Sequence, residues 1–393
     1  MAVAVKTGTI DTEAVLPEEK VVDMSNEFKM LDQDESQFST LLDKLPTQSA
    51  SREKVNWLED QYFPNKSSVA AAGYSNVATT VPVATGEGAY FRAGDLVRNV
   101  ANAEMMLVTA VAGDNLTVTR AIGGVVAAGT GTSGQPLLIV GNASAQAADI
   151  GTLKVTNRVL GFNYTQIFRN PFGFSGTDVE IETYGPGDPM NEIAKKAVEH
   201  KRSLENTFFF GARSFTAASP NSIGTCGGLR DFIVTNKTAA VGTLTAANLG
   251  TIIRGALQKG SRDKVIFASP LVVSALSALY TKTWAPNEAG GGMDATLGIR
   301  VSGYVSGSFG DRIPVVLKRE WGNFADTTEI GSLLVVLDRR FIKKRPLRGR
   351  GTSLLRNRQG NGEDRVVHEY LTETSLEMSV ESAHAWAYGI VSP

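Results

Sequence analysis

The sequence predicts an α+β protein with an acidic arm, an extended β region carrying a small inserted β subdomain, a long amphipathic helix and a separate α/β segment. Three observations carry this. A helical period runs through residues 189–210, short β runs alternate with glycine turns over residues 79–140, and helix and strand patterns alternate over residues 244–337.

The helix is the firmest element. Asp188 stands where an N-cap belongs, and Pro189 occupies the first turn, where a missing N–H costs nothing. Met190, Ile193, Ala194, Ala197, Val198, Leu204 and Phe208 then recur along one stripe. Glu192/Lys196, Lys195/Glu199 and Lys201/Glu205 are spaced for i,i+4 ion pairs, and Gly211 supplies the stop. At 1.5 Å per residue, residues 189–210 span roughly 33 Å, enough to cross a domain as a spine.

With 393 residues, 42% hydrophobic and 20% charged, the chain has room for two or three domains with a substantial core. The net charge of −1 conceals an asymmetry. Residues 1–60 hold thirteen acids and six bases, a net of −7, whereas residues 339–358 hold nine bases and no acid. Cys226 is the only cysteine, which excludes an intrachain disulfide framework and suits a reducing cytosol. The first residues lack the basic start and apolar core of a secretion signal, and no apolar run approaches the roughly twenty residues of a membrane span. The expectation is a soluble chain made inside the cell.

In chain order, residues 1–60 show no sustained period and read as an arm lying on another surface, with residues 55–62 joining a sheet. Residues 91–100, 105–111, 116–120 and 137–140 read as strands of a compact β subdomain, with a hairpin at Gly113-Asp114-Asn115. Residues 155–168 and 177–184 read as a long hairpin broken at Asn170-Pro171-Phe172-Gly173 and leading into the spine. Beyond the spine, residues 215–228 read as a loop and residues 229–234 as a short strand. Helices are expected from Thr245 or Asn248 to Gln258 and over residues 270–280. Strands are expected at 265–268, 300–305, 313–317 and 332–337, with a flexible loop at Gly290-Gly291-Gly292. The basic tract follows, then strands at 365–370 and 374–380.

A search for chemistry returns little. His200, His368 and His384 have no metal-ligand spacing, and His200 reads most simply as a surface residue. Cys226, in Gly224-Thr225-Cys226-Gly227-Gly228, has no nucleophile signature around it. No phosphate-binding loop is present, and the Arg348-Gly349-Arg350-Gly351 stretch is a single, unrepeated RG element. Asp95 and Glu104 could in principle form a carboxylate pair on the β subdomain, although acids in turns are ordinarily solvated. The basic residues Arg339, Arg340, Lys343, Lys344, Arg345, Arg348, Arg350, Arg356 and Arg358 admit three readings. They neutralise acids of a neighbouring copy, for which the acidic arm is the complement, they touch nucleic-acid phosphates, or they are a solvated loop.

Several segments resemble one family. Asn163-Tyr164-Thr165-Gln166-Ile167-Phe168, Ser175-Gly176-Thr177 and Tyr184-Gly185 are similar to the approach to the spine helix in tailed-phage major capsid proteins with the Hong Kong 97-type fold. Gly227-Gly228-Leu229, Phe232-Ile233 and Thr235-Asn236 fit the same family. So do Gly362, Asp364, Glu369-Tyr370-Leu371-Thr372 and Leu376-Glu377. Gly94-Asp95-Leu96-Val97, Leu107-Val108-Thr109 and Leu116-Thr117-Val118-Thr119-Arg120 resemble the β insertion of one branch.

The resemblance covers about residues 60–393 and implies a domain plan. Residues 1–60 are the N-arm, 61–184 the E-loop with the β subdomain inserted at about 79–142, and 185–242 the P-domain spine with its following loop. Residues 243–338 are the A-domain, and 339–393 return to the P-domain with the basic tract. Asp188, Pro189, Ile193, Ala197, Leu204 and Phe208 mark the spine. The implied function is a structural subunit, not an enzyme, that self-assembles as pentamers and hexamers into an icosahedral or prolate head around double-stranded DNA in the host cytoplasm. The implied partners are further copies of the chain, a separate scaffolding protein, a portal, packaged DNA and, optionally, a decoration protein, with no membrane and no cofactor or metal. The arm is short compared with relatives that carry a cleaved scaffolding region, so no processing is expected. Lys66 and Lys154 match no cross-linking motif. An encapsulin-like compartment and a β-rich tail or adhesion protein are the alternatives; the second leaves the spine and the α/β segment unexplained.

Overall fold

The computed structural model describes residues 36–124, 126, 128–146, 151, 153–181, 188–218, 221–281, 303–305 and 312–391. They form two compact units, one made of Met1–Trp57 and Gly161–Pro393, the other of Leu58–Leu160. The helices are α1 (Gln37–Lys44), α2 (Gly176–Glu180), α3 (Asp188–Phe210), α4 (Leu229–Phe232), α5 (Ala246–Leu257) and α6 (Pro270–Thr281). Gly290-Gly291-Gly292 and residues 1–35 of the arm lie outside the described residues.

The larger unit is organised by a six-stranded mixed sheet. Its order is Lys237–Thr238, Ala385–Ala387, Leu334–Asp338, Lys264–Ala268, Arg312–Leu317, Gly303–Val305. The two central strands are apolar almost throughout because both faces are covered. Val265, Phe267, Val335, Leu337 and Trp386 face one core with Phe38 and Leu42 of α1 and Leu204, Phe208 and Phe209 of α3. The alternate residues Ile266, Ala268, Leu334, Val336, Ala385 and Ala387 face a second core with α5 and α6. Thr245 caps α5 as expected, its side chain accepting from the Asn248 N–H at 3.2 Å.

A second sheet is built on one long strand, Arg365–Met378. Sequence spacing divides this stretch in two, but the chain stays extended across residues 371–373. Along one edge it pairs with Gln166–Ser175, from Arg365↔Ser175 to Thr374↔Gln166. Along the other it pairs with Ile342–Pro346 and Ser353–Leu355.

This pairing overturns the expected hairpin. Val159–Tyr164 pairs instead with Lys54–Glu59, and the expected break at Asn170-Pro171-Phe172-Gly173 lies within the strand. Pro171 is tolerated because it sits on a sheet edge, where its missing N–H removes no ladder bond. The switch between partners is pinned by buried Asn163, whose Oδ1 accepts from the Tyr164 and Gly227 N–H groups. Its Nδ2 donates to the Gly227 and Leu376 carbonyls at 3.0 and 2.7 Å.

Two expected strands are helical turns. Ser175 caps α2 by accepting from the Asp178 N–H at 3.1 Å, so the chain after it coils instead of extending. Residues 229–234 carry Leu229 and Ile233, four apart and both fully buried, and the Ile233 N–H donates to the Leu229 carbonyl at 2.9 Å. A spacing of four serves one face of a helix turn, here α4, as well as one face of a strand.

The spine α3 forms with nearly the expected bounds, but its pairing and burial differ. Glu192 meets Lys195 at 3.1 Å and Lys196 meets Glu199 at 2.6 Å, both i,i+3. Glu205 turns inward to Lys318, not to Lys201. Met190 is 79% exposed, Ala194 is exposed, and Ile193 and Ala197 are half-buried, whereas Leu204 and Phe208 are sealed. The stripe therefore sinks only over its C-terminal half. The expected cap Asp188 opens the helix; its side chain lies outside the described residues.

The smaller unit holds a six-stranded antiparallel sheet ordered Lys66–Ser68, Pro136–Asn142, Asp95–Asn99, Met105–Ala112, Asn115–Thr119, Thr80–Pro82. Its core is Phe91, Val97, Met106, Val108, Leu116 and their neighbours. The expected hairpin closes with Ala112 opposite Asn115 and Gly113 at φ 59°. Asp95 and Glu104 do not form a pair. Asp95 is held by Arg92 and Asn142, and fully buried Glu104 receives a bidentate fork from Arg120 at 2.6 and 2.7 Å. Burial alone would raise the Glu104 pKa, but the Arg120 and Gly129 hydrogen bonds outweigh it and hold it below the ordinary value.

Candidate functional site

Period-two geometry places Glu369, Glu373 and Glu377 on one face of the long strand Arg365–Met378, about 13 Å apart at each step. All three are at most 7% exposed and all three are paired. Glu369 accepts from Arg169, with one bond at 3.0 Å, and lies 3.8 Å from Arg358. Glu373 is ion-paired with Arg350 at 2.7 Å and accepts from the Thr165 hydroxyl at 3.0 Å. Glu377 accepts from Arg345 and lies 3.9 Å from Lys343.

The basic tract is therefore not a loop awaiting charge. Residues 342–346 are a strand, and alternation sends Lys343 and Arg345 to Glu377 on one face. Lys344 goes to Asp43 of α1 at 2.8 Å on the other. Arg345 also donates to Gln48 at 3.0 Å, and Arg339 binds Asp263. Six of the nine bases thus find acids within the same chain, an outcome that the three sequence readings did not include. Arg340, Arg348 and Arg356 are exposed and make no side-chain ion pair or hydrogen bond among the described residues. The signal for the acidic ladder was present as acids at i, i+4 and i+8 within an extended stretch.

The opposite face of the same strand meets the spine. His200 is 1% exposed, not a surface residue. Its ring lies 3.0 Å from Asn170 Oδ1 and 2.7 Å from Thr372 Oγ1, and it stacks on Tyr370. Burial and the nearby Lys344 charge lower its pKa. A helical residue among charges reads as exposed in sequence, yet a sheet packed against that side buries it.

Two buried ion pairs fasten the body. Glu205 of α3, 2% exposed, accepts from Lys318 at 2.5 Å and from the Phe38 and Ser39 N–H groups at 3.3 and 3.1 Å. It satisfies the first amides of α1 from outside that helix. Lys264 and Asp338 meet at 2.8 Å with no exposure of either side chain. Asp338 also accepts from Ser261 N–H and Oγ, and Lys264 donates to the Ala383 carbonyl. His384, fully buried, accepts the Asp338 backbone N–H on its Nδ1 at 3.1 Å. Burial, reinforced by Lys264, pushes the His384 pKa down to about 4.

None of these groups makes an active site. Burial raises the Cys226 thiol to about 11, and its Sγ donates to the Gly227 carbonyl. We expect native protein at pH 7.5 to resist aromatic disulfide reagents and to release one thiol equivalent within seconds in denaturant. Fast labelling of the native state would contradict the buried geometry. Among the described residues no cluster of three His, Cys, Asp or Glu side chains could hold a metal ion, and no helix is long and apolar enough to cross a membrane.

The sequence profile of the SU10 major capsid protein family matches residues 5–391. The chain belongs to that family. It is a major capsid protein, a structural subunit of a virion shell built from many copies, and its resemblance to tailed-phage capsid proteins stands. The fold agrees. The cyanophage A-1(L) capsid asymmetric unit superposes with a TM-score of 0.54 at 12% identity, covering 97% of this chain and 98% of that one. The capsid of a native GTA particle superposes at 0.51 with 8% identity, covering 96% and 97%. The Hong Kong 97-type capsid fold is thus the fold of this major capsid protein. The holo-SrpI encapsulin complex of Synechococcus elongatus PCC 7942 reaches only 0.42 at 11% identity, over 60% of this chain and 78% of that one. No curated protein matches the chain.

Proposed function

We propose that this capsid protein assembles as pentamers and hexamers into an icosahedral or prolate head that encloses double-stranded DNA. In this reading residues 1–60 act as the N-arm, 61–184 as the E-loop with its β insertion, 185–242 as the spine part of the P-domain, 243–338 as the A-domain and 339–393 as the returning P-domain. The observation that carries the reading is the family match over residues 5–391, and the two-unit chain is compatible with it. The smaller unit has a core of its own and can serve as a separate contact arm. Assembly takes place in the host cytoplasm with a separate scaffolding protein and a portal, and a decoration protein is an optional later partner.

The test is expression of the chain with its scaffolding protein, followed by negative-stain microscopy and nuclease treatment of particles from infected cells. Closed shells that protect DNA are the expected result. Monomers alone would remove the shell reading, and particles holding protein cargo without DNA would move the assignment to a compartment.

A further inference from the structure

The three arginines that make no side-chain ion pair or hydrogen bond among the described residues follow one another along the flank of the long strand Arg365–Met378. Arg340 precedes Phe341, whose carbonyl accepts the Ser379 N–H. Arg348 follows Leu347, whose N–H donates to the Glu373 carbonyl, and Arg356 precedes Asn357, whose N–H meets His368 Nδ1. The anchors at residues 379, 373 and 368 are six and five residues apart, so the row has steps of roughly 20 and 17 Å.

The same chain carries a complement. Residues 1–35 contain nine acids and three bases, a net of −6. Glu13, Glu18, Asp23, Glu27 and Asp32 recur every four or five residues, roughly 13–17 Å along an extended peptide. This segment joins the body at Ser36, beside the Phe38 and Ser39 amides held by Glu205. The next stretch of the same arm already occupies the basic strand in cis, through Asp43 on Lys344, Gln48 on Arg345 and the Ala50 carbonyl on the Arg348 N–H.

We propose that Arg340, Arg348 and Arg356 form a docking row for the acidic leader, residues 1–35, of a second copy of this chain. The inference rests on the capsid reading, which supplies the second copy. Continuity with residues 43–50, which already meet Lys344, Arg345 and the Arg348 N–H, favours the acidic leader over nucleic acid. Each contact is exposed and screened, so the strap is salt-sensitive and acts through the number of copies engaged.

The test reverses charge on each side in the full-length chain, assembled with its scaffolding protein. One variant carries Arg340→Glu, Arg348→Glu and Arg356→Glu; the other carries Glu18→Lys, Asp23→Lys and Glu27→Lys. Each alone should give roughly tenfold fewer shells by sedimentation, and combining all six changes in one chain should restore them. Mixing the two variants should restore shells in part, because wherever unlike variants meet each row finds the other variant's leader. Recovery in the combined chain excludes misfolding as the cause of the losses. Rescue in the combined chain without rescue in the mixture would place the contact in cis and overturn the proposal. Normal shell yield from each variant would overturn it as well, and normal shells with reduced DNA would assign the row to nucleic acid. Failure of the unaltered chain to form any particle would count instead against the capsid reading itself.

Discussion

Replacing Glu205 with alanine is expected to cost the larger unit about 3–5 kcal/mol, the range for removing one partner of a buried ion pair. The substitution removes the carboxylate that Lys318, 1% exposed, donates to, and it leaves the Phe38 and Ser39 amides at the head of α1 without that acceptor. Two observables separate this from general loosening. Denaturant unfolding should move to lower midpoint with an unchanged slope, and hydrogen exchange at residues 38 and 39 should accelerate more than at the central strand Lys264–Ala268. Glu205→Gln, which keeps the shape and one acceptor but no charge, should fall between the two. A loss below about 1 kcal/mol for the alanine variant would mean that Phe38, Leu42 and the Asp43–Lys344 pair hold α1 without Glu205.

The second large effect is a dependence on acid. His384 is sealed in the body with its folded-state pKa lowered to about 4, whereas the unfolded chain takes up the proton near pH 6.5. Between those values the unfolded state binds more protons. The contribution of neutral His384 is therefore fully present above about pH 6.5 and is lost as pH falls toward 4. Over that window the loss is about 3 kcal/mol, because each pH step between the two values costs about 1.4 kcal/mol. Asp338 adds to the same trend at lower pH. Burial would raise its pKa, but its bonds to Lys264 and Ser261 hold it below the ordinary value, so its stabilisation goes when pH falls through that lowered value. Stability measured by urea titration from pH 7 to 4 should slope downward, and His384→Gln should flatten the slope. An equally steep slope in the variant would assign the acid sensitivity to other groups.

The spine, the β sheet of the smaller unit and the α/β alternation were legible because each has a local signature: a 3.6-residue period, glycine-bounded runs, and caps such as Thr245. What sequence could not supply was partnership at long range. The segments around Asn163 read as half of a hairpin until a strand some two hundred residues later took Gln166–Ser175. Residues 229–234 show how a run of six apolar and polar residues fits a turn of helix as well as a strand when only two of its side chains are deeply buried. The basic tract was conspicuous in composition, but its role depended on Glu369, Glu373 and Glu377, which look unremarkable until the chain is extended and every second residue faces the same way. His200 and Glu205 were misjudged for the same reason. Charged neighbours along a helix say which residues are polar, not which side another sheet will cover.

The long strand Arg365–Met378 also sets an order of events during synthesis. Among the described residues it is the only strand that joins Gln166–Ser175 to the basic strand Ile342–Pro346, and Ala385–Ala387 fills an interior place in the six-stranded mixed sheet. Both are made after the other strands of their sheets, so neither the six-stranded sheet nor the sheet built on the long strand is complete until they emerge. The sheet of residues 66–142 pairs strands that are all made early. It can form on the nascent chain before those two strands are made. Each newly made subunit therefore passes through a period in which one unit is folded and the apolar strands of the other are still uncovered, and that is when a chaperone has most to bind.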